Sequence, residues 1–352
     1  MFLQKGQNHF YYLDKSPEKI ITENGKSYNR NNLHIWGTKS CFKQEDLYTI
    51  NIFNFSIDII EKEFFGKIDT EGCKAFPIVI NNLWSAGTLD TYKMFIDYLC
   101  TQKIRTPKGL KWIENSFIQS FIKNNPEFNQ RRLMSLMGNL RKIYGVMWSE
   151  GVWEIISCNN SSIKFIISDH PVTTYNIALY PGSKYCQFPN DPPIKLNGTR
   201  TIFPLDMNHL LIISNRDYCL NPSSLAPLKE RINARYMGSS LFGPLDIIRV
   251  REFTEKEVIA INYIIKERSI RYLAGAEKAW IFPEQYIDNT NWSRFDKILN
   301  PPKNKIKIYQ ETILGYDDGS IIGFDGYGRP IDVSSRMETI NKILSMSRSN
   351  KE

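Results

Sequence analysis

The segment Lys164-Phe165-Ile166-Ile167-Ser168-Asp169-His170-Pro171-Val172 constrains the fold more than any other stretch of the chain. Its short apolar run reads as a buried strand that stops abruptly at Ser-Asp-His. Pro171 has no N–H to continue a ladder, and it biases His170 toward an extended conformation. A triplet that can accept, donate and titrate is thereby fixed by a strand and exposed by a loop, a common arrangement for a site.

The neighbouring sequence places this segment among further strands. Trp153-Glu154-Ile155-Ile156 and Lys164-Phe165-Ile166-Ile167 flank the turn cluster Asn159-Asn160-Ser161, which predicts a hairpin. A loop rich in Pro, Gly and Asn covers 180–198. A second hairpin follows, with Thr201–Leu205 and His209–Ile213 around Asp206-Met207-Asn208. Strands alternating with turns and no intervening helix favour antiparallel pairing. Upstream, His9–Leu13 and Leu33–Trp36 read as short extended pieces with a turn at Asn24-Gly25. Helices are expected over 55–68, with Ile60, Phe64 and Ile68 on one face, and over 89–104. Thr88 would cap the latter, Met94, Phe95, Tyr98 and Leu99 form its stripe, and Pro107 ends it. Further helices are expected at 112–121, 131–146, 223–238 and 255–274, the last with a Thr254-x-x-Glu257 capping box. Beyond Phe282 come a linker-like Pro301–Lys305, a hairpin turn at Asp317-Asp318-Gly319 and a short helix capped by Ser335 and Glu338. The expected fold class is α+β: a mostly helical first half packed on a central antiparallel sheet, with further helices closing it. Residues 1–282 would form that domain and 283–352 a C-terminal extension.

Several function classes are excluded by what the chain lacks. The six cysteines lie far apart with no C-x-x-C pair, against both a zinc ribbon and a disulfide-stapled secreted domain. The four histidines, His9, His34, His170 and His209, show no H-E-x-x-H spacing. Gly323-x-x-Gly326-x-Gly328 follows a hairpin turn and lacks the strand-to-helix context of a nucleotide loop. No phosphate-loop, serine-elbow or kinase signature occurs. No run approaches the ~18 apolar residues of a membrane span, and Met1–Lys5 lacks a signal-peptide core. A cytoplasmic protein without a membrane partner is therefore expected; nothing in the sequence speaks to its oligomeric state. A net charge of +8 fits either a polyanionic partner, nucleic acid or nucleotide, or plain solubility when spread over a surface of this size.

Two clusters carry the candidate chemistry. Asp169 could bind a divalent metal or act as a base, with His170 shuttling a proton near neutral pH. Alternatively, Asp169 accepts backbone N–H groups after the strand. Gln102 and Arg105 sit three apart on one helical face beside Thr106, and Arg105 could clamp a phosphate or pair with a structural carboxylate. Asn262, well inside a helix, needs a structural or functional reason. Gln102, Arg105, Ser168, Asp169 and Asn262 are expected to converge.

These residues together resemble the bacterial family termed domain of unknown function 4238. The resemblance rests on Gln102-x-x-Arg105-Thr106-Pro107, on Ser168-Asp169-His170-Pro171, on Pro204-Leu205, and on Asn262 with Arg271-Tyr272 downstream. It covers roughly residues 10–280. The family's opening His-Tyr-x-Pro segment is missing, because His9 is followed by Phe10-Tyr11-Tyr12. Some members of that family resemble antiphage-defence components, which implies an effector acting on nucleic acid or nucleotide phosphates. The expected activity is a nuclease or other phosphate-directed hydrolase, with Arg105, Asp169 and His170 catalytic and Gln102, Thr106, Ser168 and Asn262 binding. The alternative is a non-enzymatic sensor or a module that binds a ligand or nucleic acid.

Overall fold

The computed structural model describes residues 7–22, 24–37, 42, 66–83, 85, 89–123, 125–222, 226–231, 246–287, 291–307, 312–316, 318, 320–324 and 330–334. The chain forms two compact units, 1–305 and 306–352. The first unit extends past the expected boundary at 282, because Phe295 and Leu299 are buried in its core.

In the first unit, β1 (His9–Asp14), β2 (Lys19–Ile21), β3 (Ser27–Asn29) and β4 (Leu33–Gly37) precede the helices. β2 and β3 form a separate ladder whose turn uses Gly25 at φ +74°, a conformation glycine adopts without strain. Four helices follow: α1 (Gly66–Ile80), α2 (Leu89–Ile104), α3 (Pro107–Ser116) and α4 (Pro126–Ser149). The expected helix over 55–68 falls mainly outside the described residues, as do the Thr88 cap and most of 223–238. Next come β5 (Val152–Ser157), β6 (Ile167–Ser168), β7 (Thr173–Tyr175), β8 (Arg200–Pro204), β9 (His209–Ser214) and α5 (Arg216–Leu220). The unit closes with α6 (Glu255–Arg268), β10 (Tyr272–Gly275) and α7 (Trp292–Ile298).

The expected single central sheet is not present. Strands divide among four small sheets, two of them four-stranded, with orders β4-β1-β10-β6 and β5-β9-β8-β7. The expected hairpin between 153–156 and 164–167 does not form either. β5 pairs instead with β9, in register Trp153↔Ile213 and Ile155↔Leu211. The reason lies in α6, where Asn262 Oδ1 accepts the Ile166 N–H at 3.2 Å and its Nδ2 donates to the Lys164 carbonyl at 2.8 Å. The amide replaces a strand neighbour, so this stretch needs no hairpin partner. The expected β8–β9 hairpin forms, with Phe203 opposite Leu211. The helix expected to reach 274 stops at Arg268, and 272–275 become strand β10, paired with β1 and β6.

The apolar run of β9 is explained by burial on both faces. Leu211 and Ile213 pack with Phe76, Phe95 and Trp148 of the first helices, while Leu210 and Ile212 pack with Val258, Ile261 and Ile265 of α6. In the second unit, β11 (Thr312–Gly315), β12 (Ile321–Phe324) and β13 (Pro330–Ile331) form a three-stranded antiparallel sheet. The expected helix near Ser335 lies outside the described residues.

Candidate functional site

The α2–α3 corner and the Ser168–Pro171 corner stand against each other and form a wall between two clefts. Thr106, extended at φ −66° and ψ 156°, caps α3 by accepting the Gly109 N–H, and Pro107 occupies the first helical position. Gly109 is required here, because a Cβ would lie 2.5 Å from the Ile104 carbonyl oxygen. Helical spacing sends Gln102, Arg105 and Thr106 into one cleft and Lys103 and Lys108 into the other. On the opposing corner, Ser168 Oγ accepts the His170 N–H at 3.2 Å. Ser168 and Asp169 line the first cleft, whereas His170 lines the second.

The first cleft, of about 300 Å³, has an aromatic wall. Tyr12 stacks on Trp36 at 4.9 Å and on Tyr272 at 5.2 Å between ring centroids, and Phe42 meets Tyr12 edge-on. Tyr12, Trp36 and Tyr272 come from β1, β4 and β10, so the long-range pairing of β1 with β10 builds the wall. Facing them, Gln102 is 7% exposed, lines the cleft, and its amide meets no hydrogen-bond partner among the described residues. Arg105 is engaged, its Nη1 donating to Asp69 at 2.5 Å.

Asp169 accepts three backbone N–H groups, from Ile270 at 2.9 Å, Arg271 at 2.7 Å and Tyr272 at 2.8 Å. Burial pushes its carboxyl above the ordinary range, against those three donors. The carboxylate clips the end of β6 to the turn between α6 and β10. Among the described residues, no group of three His, Cys, Asp or Glu side chains comes together as a metal site. A carboxylate already holding three N–H groups, with no companion ligands, does not fit a divalent cation.

In the second cleft His170 is buried among charges. Its Nε2 lies 2.6 Å from Asp191 Oδ2, and its Nδ1 lies 3.1 Å from Thr106 Oγ1. The Asp191 carboxylate can only accept, so the network assigns the imidazole proton to Nε2, donated to Asp191, and Nδ1 accepts the Thr106 hydroxyl proton. Lys103 Nζ donates to Asp191 at 2.5 Å and to the Val172 carbonyl at 3.1 Å. Lys108 Nζ lies 2.6 Å from the other Asp191 oxygen. Burial, reinforced by Lys103, pushes His170 down to about 3, so the imidazole is neutral near pH 7. Burial also pulls Lys103 below its ordinary value. Asp191 feels the opposing push of burial, yet Lys103, His170 and Lys108 hold it well below the carboxylate range.

Gln102, Arg105, Thr106, Ser168 and Asp169 are thus brought to one cleft. Asn262 is not, being spent on Lys164 and Ile166, and His170 opens to the other side of the wall. Sequence reasoning missed Lys103, Lys108 and Asp191. The two lysines flank the quoted Gln102–Pro107 motif and helical spacing could have flagged them, but Asp191 sits in a loop that carries no periodic signal. Among the described residues no helix is long and apolar enough to cross a membrane. Compared with known proteins, the chain matches no protein-family model, no curated protein and no solved structure. The resemblance to domain of unknown function 4238 therefore rests on the quoted motif residues alone.

Proposed function

We propose that this chain is a ligand-binding sensor module whose aromatic cleft takes a nucleobase, free or as part of a nucleotide. The observation that carries this reading is the Gln102 amide. The amide opens to the cleft with its donor and acceptor both unspent, so a ligand edge offering one donor and one acceptor can pair with it. Purine and pyrimidine edges offer that pair, and carboxamide side chains recognise adenine in this way. Tyr12 lies between Trp36 and Tyr272, with His34 stacked on Trp36 and Arg271 over Tyr272, so these rings line the cleft as an apolar wall against which a base packs. The Ser168 hydroxyl adds a further hydrogen-bonding group on the cleft wall.

The phosphodiester-cleaving alternative has less support. Arg105 is held by Asp69, Asp169 by three backbone N–H groups, and His170 is turned away from both. The cytoplasmic, defence-related setting implied by the family resemblance belongs to the same proposal: there the module would report a nucleotide rather than cut a strand.

Titrating the protein with a panel of nucleosides and nucleoside monophosphates while following tryptophan fluorescence tests the reading. Saturable quenching through Trp36, lost in Trp36→Leu, is the expected result. Absence of saturable binding across all four bases, with or without phosphate, would contradict it.

A further inference from the structure

The second cleft has its own charge imbalance, independent of the aromatic cleft. Lys103 and Lys108, which line it, are 6% and 5% exposed. Among the described residues Asp191 is the one carboxylate within ion-pair distance of either of them. His170 next to it carries no charge near pH 7. Buried cations in excess of buried anions are costly unless a counter-charge reaches them.

Hydrogen-bond donors are in excess as well. An ammonium has three N–H groups. Lys103 spends two on Asp191 and the Val172 carbonyl, and Lys108 spends one on the Arg268 carbonyl while its Nζ pairs by charge with Asp191 Oδ1 at 2.6 Å. The Nε2 of His170, 3.2 Å from Lys103 Nζ, is itself a donor to Asp191 and cannot accept the third. Tyr144 lines the same cleft, and its hydroxyl meets no partner among the described residues. Asp191, the carboxylate of this cluster, holds Lys103 and His170 on Oδ2 and faces Lys108 with Oδ1.

The remaining walls are apolar, with Trp112, Leu140, Ile143, Met147 and Ile194 around a space of about 240 Å³. An apolar cavity of about 150 Å³ is enough for benzene. The missing occupant must therefore bring negative charge and acceptor oxygens at one end and a compact apolar body at the other.

We propose that this cleft binds a small organic carboxylate with an apolar body, of benzoate or isovalerate type, its carboxylate on Lys103, Lys108 and Tyr144 and its body against Trp112, Leu140 and Met147. The site is distinct from the aromatic cleft, so it stands or falls separately from the nucleobase reading.

The test is a thermal-shift and tryptophan-fluorescence titration of the full chain with benzoate, isovalerate and the uncharged isostere benzamide, at matched ionic strength. Benzoate or isovalerate is expected to raise the melting temperature in a saturable way, and benzamide is not. Tyr144→Phe, close to isosteric, is expected to weaken binding about two- to tenfold. Ile143→Trp, at a position 54% exposed on the rim, is expected to block the cleft without removing core atoms. Lys108→Met should abolish binding; should it fail to fold, the two gentler variants carry the result. Equal binding of benzamide and benzoate, undiminished affinity in Ile143→Trp, or no binding of either carboxylate at millimolar concentration would overturn the proposal.

Discussion

Asp169 holds the Ile270, Arg271 and Tyr272 N–H groups with its two carboxylate oxygens. Asp169→Asn turns one acceptor oxygen into an NH2 group facing backbone donors. It is expected to destabilise the fold by about 2–4 kcal/mol, read from the urea midpoint. A folded variant of unchanged stability would return Asp169 to the list of reactive groups. The Asp-His pair was conspicuous in the sequence because both residues titrate, but what each one touches was not. Asp169 reaches a segment about a hundred positions away and His170 meets a loop aspartate, so their roles were fixed by contacts that no local pattern records. Arg105 illustrates the same limit: it sits on the predicted face, and Asp69, from another helix, answers it.

Elements show why some of the fold was legible and some was not. The β8–β9 hairpin could be read because its turn and both strands lie within 200–214. The Thr254–Glu257 capping box was equally local, with Glu257 accepting the Thr254 N–H at 2.8 Å at the start of α6. The 153–167 hairpin looked just as plausible, but Asn262 from α6 competes for the same backbone groups and wins. Asn262→Ala leaves a buried N–H and a buried carbonyl without partners. It should cost about 2–4 kcal/mol and speed amide exchange at Ile166, while leaving nucleobase affinity unchanged once the protein is folded. A loss of affinity in a stable variant would place Asn262 in the site after all. The pairing of β1 with β10, which brings Tyr12 beside Tyr272, joins strands more than 250 residues apart and has no signature in either.

At the scale of the whole molecule, the two clefts sit on either side of one wall, and the buried charges behind it make stability depend on pH. His170 titrates near 3 in the fold and near about 6.5 when unfolded. Between those values the unfolded chain binds the extra proton, so stability falls as pH falls, by up to about 1.4 kcal/mol per pH unit. Asp191, held low by its cations, adds loss in the same direction as pH drops through the ordinary carboxylate range, whereas Asp169, pushed up by burial, opposes it. His170→Gln, which keeps an N–H for Asp191, should flatten the stability profile between about pH 6.5 and 4; an unchanged slope would contradict a neutral buried imidazole. In the proposed function the aromatic cleft keeps the Gln102 amide open for a ligand. Calorimetric titration of wild type and Gln102→Leu with the best-binding nucleotide, alongside urea unfolding of both, tests it most directly. Gln102→Leu is expected to fold with equal or greater stability, by up to about 1 kcal/mol, and to bind at least about tenfold more weakly. Wild-type affinity in a well-folded Gln102→Leu, or a large loss of stability, would show that the amide serves the fold rather than a ligand.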